Sequence, residues 1–232
     1  MLSDSQIERY SRQIILPQVG GKGQERLLQA SVLVSGNGLL QAEALLYLAA
    51  AGVGRIGIYA VESSPLLAAL VPDQQASSVI ALQRLNQDCT IVMHDHAEVG
   101  NRAHDILLVQ QYDLVIAEPH VQLHAACYAA CRPFLCSEVS ATTIRLAVYR
   151  GYEEGLPCFS CESPSLFAIT PPPDVEDAAA LFAGTVLATE AIKLILGLHP
   201  SGPTKLLQYD FPTLSFHEHI LSKNSNCSVC RS

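Results

Sequence analysis

The chain has 232 residues, 49% of them apolar and only 16% charged, with a formal net charge of −8. That length suffices for one large domain with a sizeable core, and the low charge suits a buried parallel sheet. An acidic chain with few lysines and arginines argues against a nucleic-acid surface. The polar opening MLSDSQIERYSRQ is not a secretory signal, and the apolar run Leu39 to Val53 is short for a membrane span, so a soluble cytoplasmic protein is expected.

Residues 5 to 30 read as a helical, partly irregular arm with a break at VGGKG. Ser31 to Ser35 reads as a buried strand. Leu39 to Ala51 reads as a helix closed by Gly52-Val53-Gly54, and Arg55 to Tyr59 as a second strand. Next come a helix over Pro72 to Asn86, a strand over Thr90 to His94, a helix over Ile106 to Gln111 and a strand at YDLVIAE. A helix over 120–131 and a strand at PFLCSE complete the series. Strand and helix alternate to about residue 137, which predicts a doubly wound, mostly parallel, Rossmann-like α/β sheet.

The pattern then changes. TTIRLAVYR reads as antiparallel, TPPPDVED as a linker and Asp177 to Leu196 as a long helix. TKLLQYDFPTLSFHEHI reads as a hairpin turning at Phe211-Pro212-Thr213. One domain over 1–232 is expected: an arm (1–30), a nucleotide-binding-like half (31–137) and a C-terminal half (138–232) clipped by zinc.

The zinc expectation comes from cysteine spacing. Cys158-Phe-Ser-Cys161 and Cys227-Ser-Val-Cys230 are two CxxC pairs, enough thiolates for one tetrahedral zinc that would fasten the polar tail to the domain. A redox CxxC usually sits where a strand enters a helix, and neither pair does. Cys89, Cys127, Cys131 and Cys136 read as small core residues. His120, His124, Cys127 and Cys131 share one helical stripe, either a buried packing face or a second metal face. His217 and His219 alternate along a strand onto a solvated or interface face, and His94, Asp95 and His96 read as a loop at a strand end.

The turn SGNGLLQAE after the first strand raises the functional question. A nucleotide turn uses small residues so that its backbone can approach phosphates at a helix N-terminus. Gly36 and Gly38 are present, but Gln41 takes the third glycine place, and Ala60 stands where a ribose-binding acid is expected, with Glu62 two residues on. The turn either still cradles a nucleotide or is a tight turn with no ligand. Glu62, Glu118, His120 and Glu138 stand at strand carboxyl ends and are expected to line any pocket.

With these pieces the chain resembles the ubiquitin-activating-like family, on its ThiF/MoeB/HesA-type adenylyltransferase branch. The resemblance rests on RYSRQIILPQVGGKGQERL, SVLVSGNG, YLAAAGVGRIGI, YDLVIAE, GLPCFSC, LATEAIKLILG and CSVC, from residue 9 to 230. It implies an enzyme that binds MgATP and adenylates the C-terminal glycine of a ubiquitin-like sulfur-carrier protein, as a dimer with structural zinc at Cys158, Cys161, Cys227 and Cys230. Carried over residue by residue, most of the ATP set is replaced. Ala60 stands for the ribose-binding aspartate. SSPLLAALVPDQQ lacks the asparagine and arginine of that segment, and Gln74 stands for the phosphate lysine. His120 and Val121 stand for the magnesium aspartate and its neighbouring asparagine. Arg12 matches the arginine that reaches the partner's phosphates. The expected protein is therefore a catalytically degenerate partner or scaffold subunit, a homodimer or paired with an active relative. The alternative is an active adenylyltransferase, with Arg12 in trans, Glu118 and His120 as candidate catalytic residues and Gly36, Gly38 and Glu62 as a degenerate nucleotide site.

Overall fold

The computed structural model describes residues 1–36, 38–59, 78–94, 100–140, 143–162 and 173–231. Three helices form the arm: α1 (Asp4–Arg9), α2 (Ser11–Ile14) and α3 (Gly20–Gln29). VGGKG is therefore no break. Gly20, at φ 59°, opens α3, and Gly23 lies inside it where a β-carbon would press on Val19 and Leu196. The chain continues through β1 (Ser31–Ser35), α4 (Leu39–Ala51), β2 (Arg55–Tyr59), α5 (Ser78–Leu85), β3 (Thr90–His94) and α6 (Arg102–Val109). Then come β4 (Leu114–Ala117), α7 (Val121–Ala129), β5 (Phe134–Val139), β6 (Thr143–Tyr149), α8 (Pro173–Leu196), β7 (Lys205–Asp210) and β8 (Ser215–Ile220).

The eight strands among the described residues join one sheet in the order β3-β2-β1-β4-β5-β6-β7-β8. The first five are parallel; β6, β7 and β8 are antiparallel to their neighbours. Side chains alternate between the two faces. Val32, Val34, Ile56, Ile58, Leu114 and Ile116 pack under α4, α5 and α8, whereas Leu33, Val115, Ala117 and Phe134 pack under α6 and α7. A strand covered on both faces has no polar alternation to show, which is why SVLVS and LVIA are apolar runs.

Among the described residues, two helix starts lie four residues upstream of the sequence reading. Asn101 accepts hydrogen bonds from the Ala103 and His104 amides, so α6 starts at Arg102 rather than Ile106. α8 begins at Pro173 inside the expected linker, because a proline at the first helical position gives up an amide that has no helical partner there. Ala178–Leu196 is long and apolar enough to cross a membrane by length and composition. Here its Ala179, Ala183, Leu187, Ala188 and Ala191 are buried against α4 and the sheet.

The arm is held by Tyr10, which is 1% exposed. Its hydroxyl donates to Asp88 Oδ2 (2.9 Å) and accepts from Asn86 Nδ2 (2.8 Å), which also donates to the Ala49 carbonyl (2.7 Å). Its ring covers Gly52, the left-handed C-cap of α4 at φ 85°, where a β-carbon would sit 2.7 Å from the ring. Tyr10→Phe removes one hydroxyl from this network and should cost about 1–2 kcal/mol. Thermal unfolding should show a fall in Tm of about 2–4 °C per kcal/mol.

Candidate functional site

The chain runs from β1 outward through β2 to β3, then returns to the other side of β1 at β4. Open α/β sheets bind ligands outside the strand carboxyl ends at such a reversal. A cleft of about 590 Å³ lies there, lined by residues 38–41, 118–119, 137–139 and 180.

Gly36 begins the turn at φ 123°, a conformation open to glycine. The space above the turn is occupied. A β-carbon on Gly36 would lie 2.5 Å from Gln41 Nε2, and one on Gly38 3.1 Å from Gln41 Oε1. Gln41, one turn into α4, is fully buried with its amide folded back onto the glycines. Nε2 donates to Glu118 Oε1 at 3.1 Å, while Oε1 has no hydrogen-bond partner among the described residues. A glutamine amide and a carboxylate thus stand where backbone amides would receive a phosphate. None of the described residues lining the cleft is basic, so they offer the phosphates of a nucleoside triphosphate no cation.

Burial shifts both cleft carboxyls toward their neutral forms. Burial pushes the Glu118 carboxyl up, opposed by the hydrogen bond from Gln41. Burial also raises Glu138 to about 7, with Arg145 opposing and Glu162 adding to the rise. His120 is not among the residues lining the cleft. It caps α7, its Nδ1 accepting from the Leu123 amide at 3.1 Å. Glu62, Ala60, Gln74, Asp95 and His96 lie outside the described residues. His94 ends β3 rather than sitting in a loop, and its Nε2 meets the Tyr112 hydroxyl at 2.6 Å. Arg12 is exposed on α2 and makes no hydrogen bond or ion pair with the described residues. A second cleft of about 300 Å³, between the end of α8 and β6–β7, pairs each of its basic side chains with an acid: Arg150 with Glu153, Lys193 and His199 with Glu190, and Lys205 with Glu218.

The four CxxC cysteines converge as their spacing predicts. Their sulfurs all lie within 4.8 Å of one another, with Cys158–Cys227 at 3.6 Å, Cys158–Cys161 at 3.8 Å and Cys161–Cys230 at 3.2 Å. Zinc at about 2.3 Å from each sulfur needs sulfurs about 3.8 Å apart, so this set could hold it. Burial raises the Cys227 thiol, but the Cys230 and Val229 amides directed at its sulfur prevail and pull it down to about 7, toward the thiolate a metal requires. Gly151 backs the cluster: a β-carbon there would lie 2.7 Å from Cys158 Cα.

The histidine–cysteine stripe divides. His124 and Cys127 are buried, but Cys131 is exposed, a correction to its reading as core. α7 ends at Ala129, and Cys131 turns out at φ 53°. Among the described residues the four-cysteine set is the metal-capable group. Sequence reasoning did not find the roles of Gly151 and His124. The glycine lies seven residues before Cys158 with no motif to mark it, and His124 meets the cysteine loop only through the fold. Burial holds the His124 imidazole down at about 4, hence neutral.

A family model described as ThiF family matches residues 10–61 and 75–229. The chain belongs to the ThiF family. The adenylyltransferase and sulfurtransferase MOCS3 of Drosophila ananassae is 34% identical over 254 residues, covering 99% of this chain and 54% of that protein. MOCS3 of Drosophila grimshawi is 34% identical, covering 99% and 55%. This ThiF-family chain thus spans about half the length of the curated relatives it matches. Among solved structures, E. coli MccB superposes with a TM-score of 0.74 at 16% identity, over 97% of this chain and 72% of that one. PaaA gives 0.75 at 18%, over 96% and 76%. These share the ThiF fold seen here, the parallel sheet with its antiparallel extension.

Glu138 supplies a pH test. Its folded proton affinity exceeds the ordinary carboxyl value of 4.5, so its contribution to stability is complete below that value and is lost as pH rises through about 7. The Tm of the natural protein minus that of Glu138→Gln should therefore fall between about pH 5 and pH 7. A difference that stays flat with pH would contradict the assigned burial of this carboxyl.

Proposed function

We propose that this ThiF-family protein is a non-catalytic partner or scaffold subunit in a ubiquitin-like or sulfur-carrier system. The observation that carries the reading is the Gln41 amide lodged in the glycine turn and bonded to Glu118. Activation of a carboxylate by ATP is an electrostatic task, and removing one stabilising group from such a site costs on the order of 10²–10³-fold in rate. Here the turn is filled, a carboxylate faces it, and His120 serves its own helix as a cap. MccB, which shares the fold, has been solved with ATP; the residues that the resemblance assigns to that nucleotide are mostly different here.

The retained parts suit an assembling protein. Tyr10 docks the arm and leaves Arg12 exposed beside Ile15 and Leu16, which are 76% and 48% exposed. An arginine flanked by apolar side chains is a surface for a second subunit, either another copy or an active relative. Cys158, Cys161, Cys227 and Cys230 would hold a structural zinc that fastens the tail to the sheet. The second reading, an active adenylyltransferase acting on a carrier's terminal carboxylate, is favoured by the 34% likeness to proteins named adenylyltransferase and sulfurtransferase.

Purified protein should give no ATP–pyrophosphate exchange with its cognate carrier and no heat on titration with MgATP to millimolar concentration; robust exchange overturns the scaffold reading in favour of the enzyme. Elemental analysis should give one zinc per chain, and chelation should lower Tm, because binding to the folded chain alone stabilises it.

A further inference from the structure

We propose that His124 is the positioning residue of the Cys158–Cys161 loop, holding that half of the metal site ready before the metal and the tail arrive. The proposal rests on the zinc reading of the four cysteines. His124 lies on α7, 2% exposed, with its ring against Phe134 and Phe159 at 5.5 Å each. Packing alone would be met by any aromatic ring of that size. The polar contacts are more specific. Nε2 accepts the backbone amide of Phe159 at 3.2 Å, and Nδ1 lies 3.4 Å from Ser160 Oγ. A neutral imidazole that accepts at Nε2 carries its proton at Nδ1, so the second contact is a donation to the serine. One ring therefore grips both residues between the cysteines.

The two cysteine loops differ in what holds them. Cys158 is backed by Gly151, and the next two residues are held by His124, all from the body of the domain. The 227–230 loop lies on the tail and is shaped locally, with the Val229 amide directed at Cys227 Sγ (3.5 Å) and the Cys227 amide bonded to the Asn224 carbonyl (3.0 Å). The geometry makes the first loop the pre-formed half and the second the half that closes onto it. Ligand-orienting partners of this kind typically contribute 10–100-fold in metal affinity.

The test compares zinc release to a chromogenic chelator from the natural protein, His124→Phe and His124→Gln, with far-UV circular dichroism as the check on folding. Phenylalanine keeps the ring and loses the acceptor; glutamine keeps an acceptor at similar reach. His124→Phe should release zinc at least about 10-fold faster, and His124→Gln should recover most of that loss. Release from folded His124→Phe at the natural rate, or equal loss in both variants, overturns the proposal and leaves the zinc reading intact. Natural protein without zinc overturns that reading, and the proposal with it. If His124→Phe does not fold, amide exchange on the natural protein decides. After chelation the Phe159 amide should stay protected while residues 221–231 exchange, and loss of both together overturns the proposal.

Discussion

A strand buried on both faces must hand its chain to a helix through a turn with no room for side chains, and β1 meets that constraint at Gly36. The residue has φ 123°, and a β-carbon there would strike the Gln41 amide and then the Glu118 carboxyl. This turn sets where α4 starts, and α4 in turn packs along α8 and covers the sheet. The direction of α8 fixes the roof of the cleft at Ala180. The same turn in a nucleotide-binding protein would leave its amides bare for phosphate. Here the Gln41 side chain occupies the space beside Gly36 and Gly38.

That substitution separates two demands which usually coincide. Gly36 is required by backbone conformation whether or not anything binds. The third glycine of such turns serves close helix–strand packing beside a ligand, and a buried glutamine can stand there only if its amide finds a partner. Burying an unpaired amide costs roughly 1–3 kcal/mol by protein mutational measures. Glu118 supplies the partner for Nε2, and Oε1 has none among the described residues. Its own carboxyl, pushed toward the neutral form by burial, fits a place where a free negative charge would be poorly solvated.

Much of this was legible in the sequence because it is written in local patterns. The apolar runs 31–35 and 114–117 have the length of strands covered on both faces, and paired CxxC spacing carries its own chemistry. The glycine gap at Gln41 was visible, but not that its side chain would return to fill the gap, since that depends on Glu118, 77 residues away in the chain. His124 was seen on a stripe, and helical periodicity says which face a residue is on, not what lies opposite. Its neighbours, Phe159 and Ser160, come from a loop the fold brings beside α7. Helix starts were misjudged where a cap decides them: Asn101 extends α6 upstream of its apolar stretch, and Pro173 reads equally as a linker or as a first helical residue.

The distribution of kept and replaced residues follows from where each one's energy comes from. Tyr10, Gly52 and Asn86 hold one another, so the arm stays docked independently of any ligand. The cysteine cluster brings the tail against the body of the domain, and its strand neighbour β8 is almost wholly exposed and adds little core of its own. Each of these would lose stability if altered, ligand or no ligand. A phosphate lysine or a magnesium aspartate has no such internal partner. Charges placed for a ligand repel or stay desolvated when the ligand is absent, so on the scaffold reading proposed above the loss of such charges would release the fold from that cost. If the scaffold proposal holds, the contacts that support the frame from within would be kept while the groups that only a nucleotide would partner are free to change.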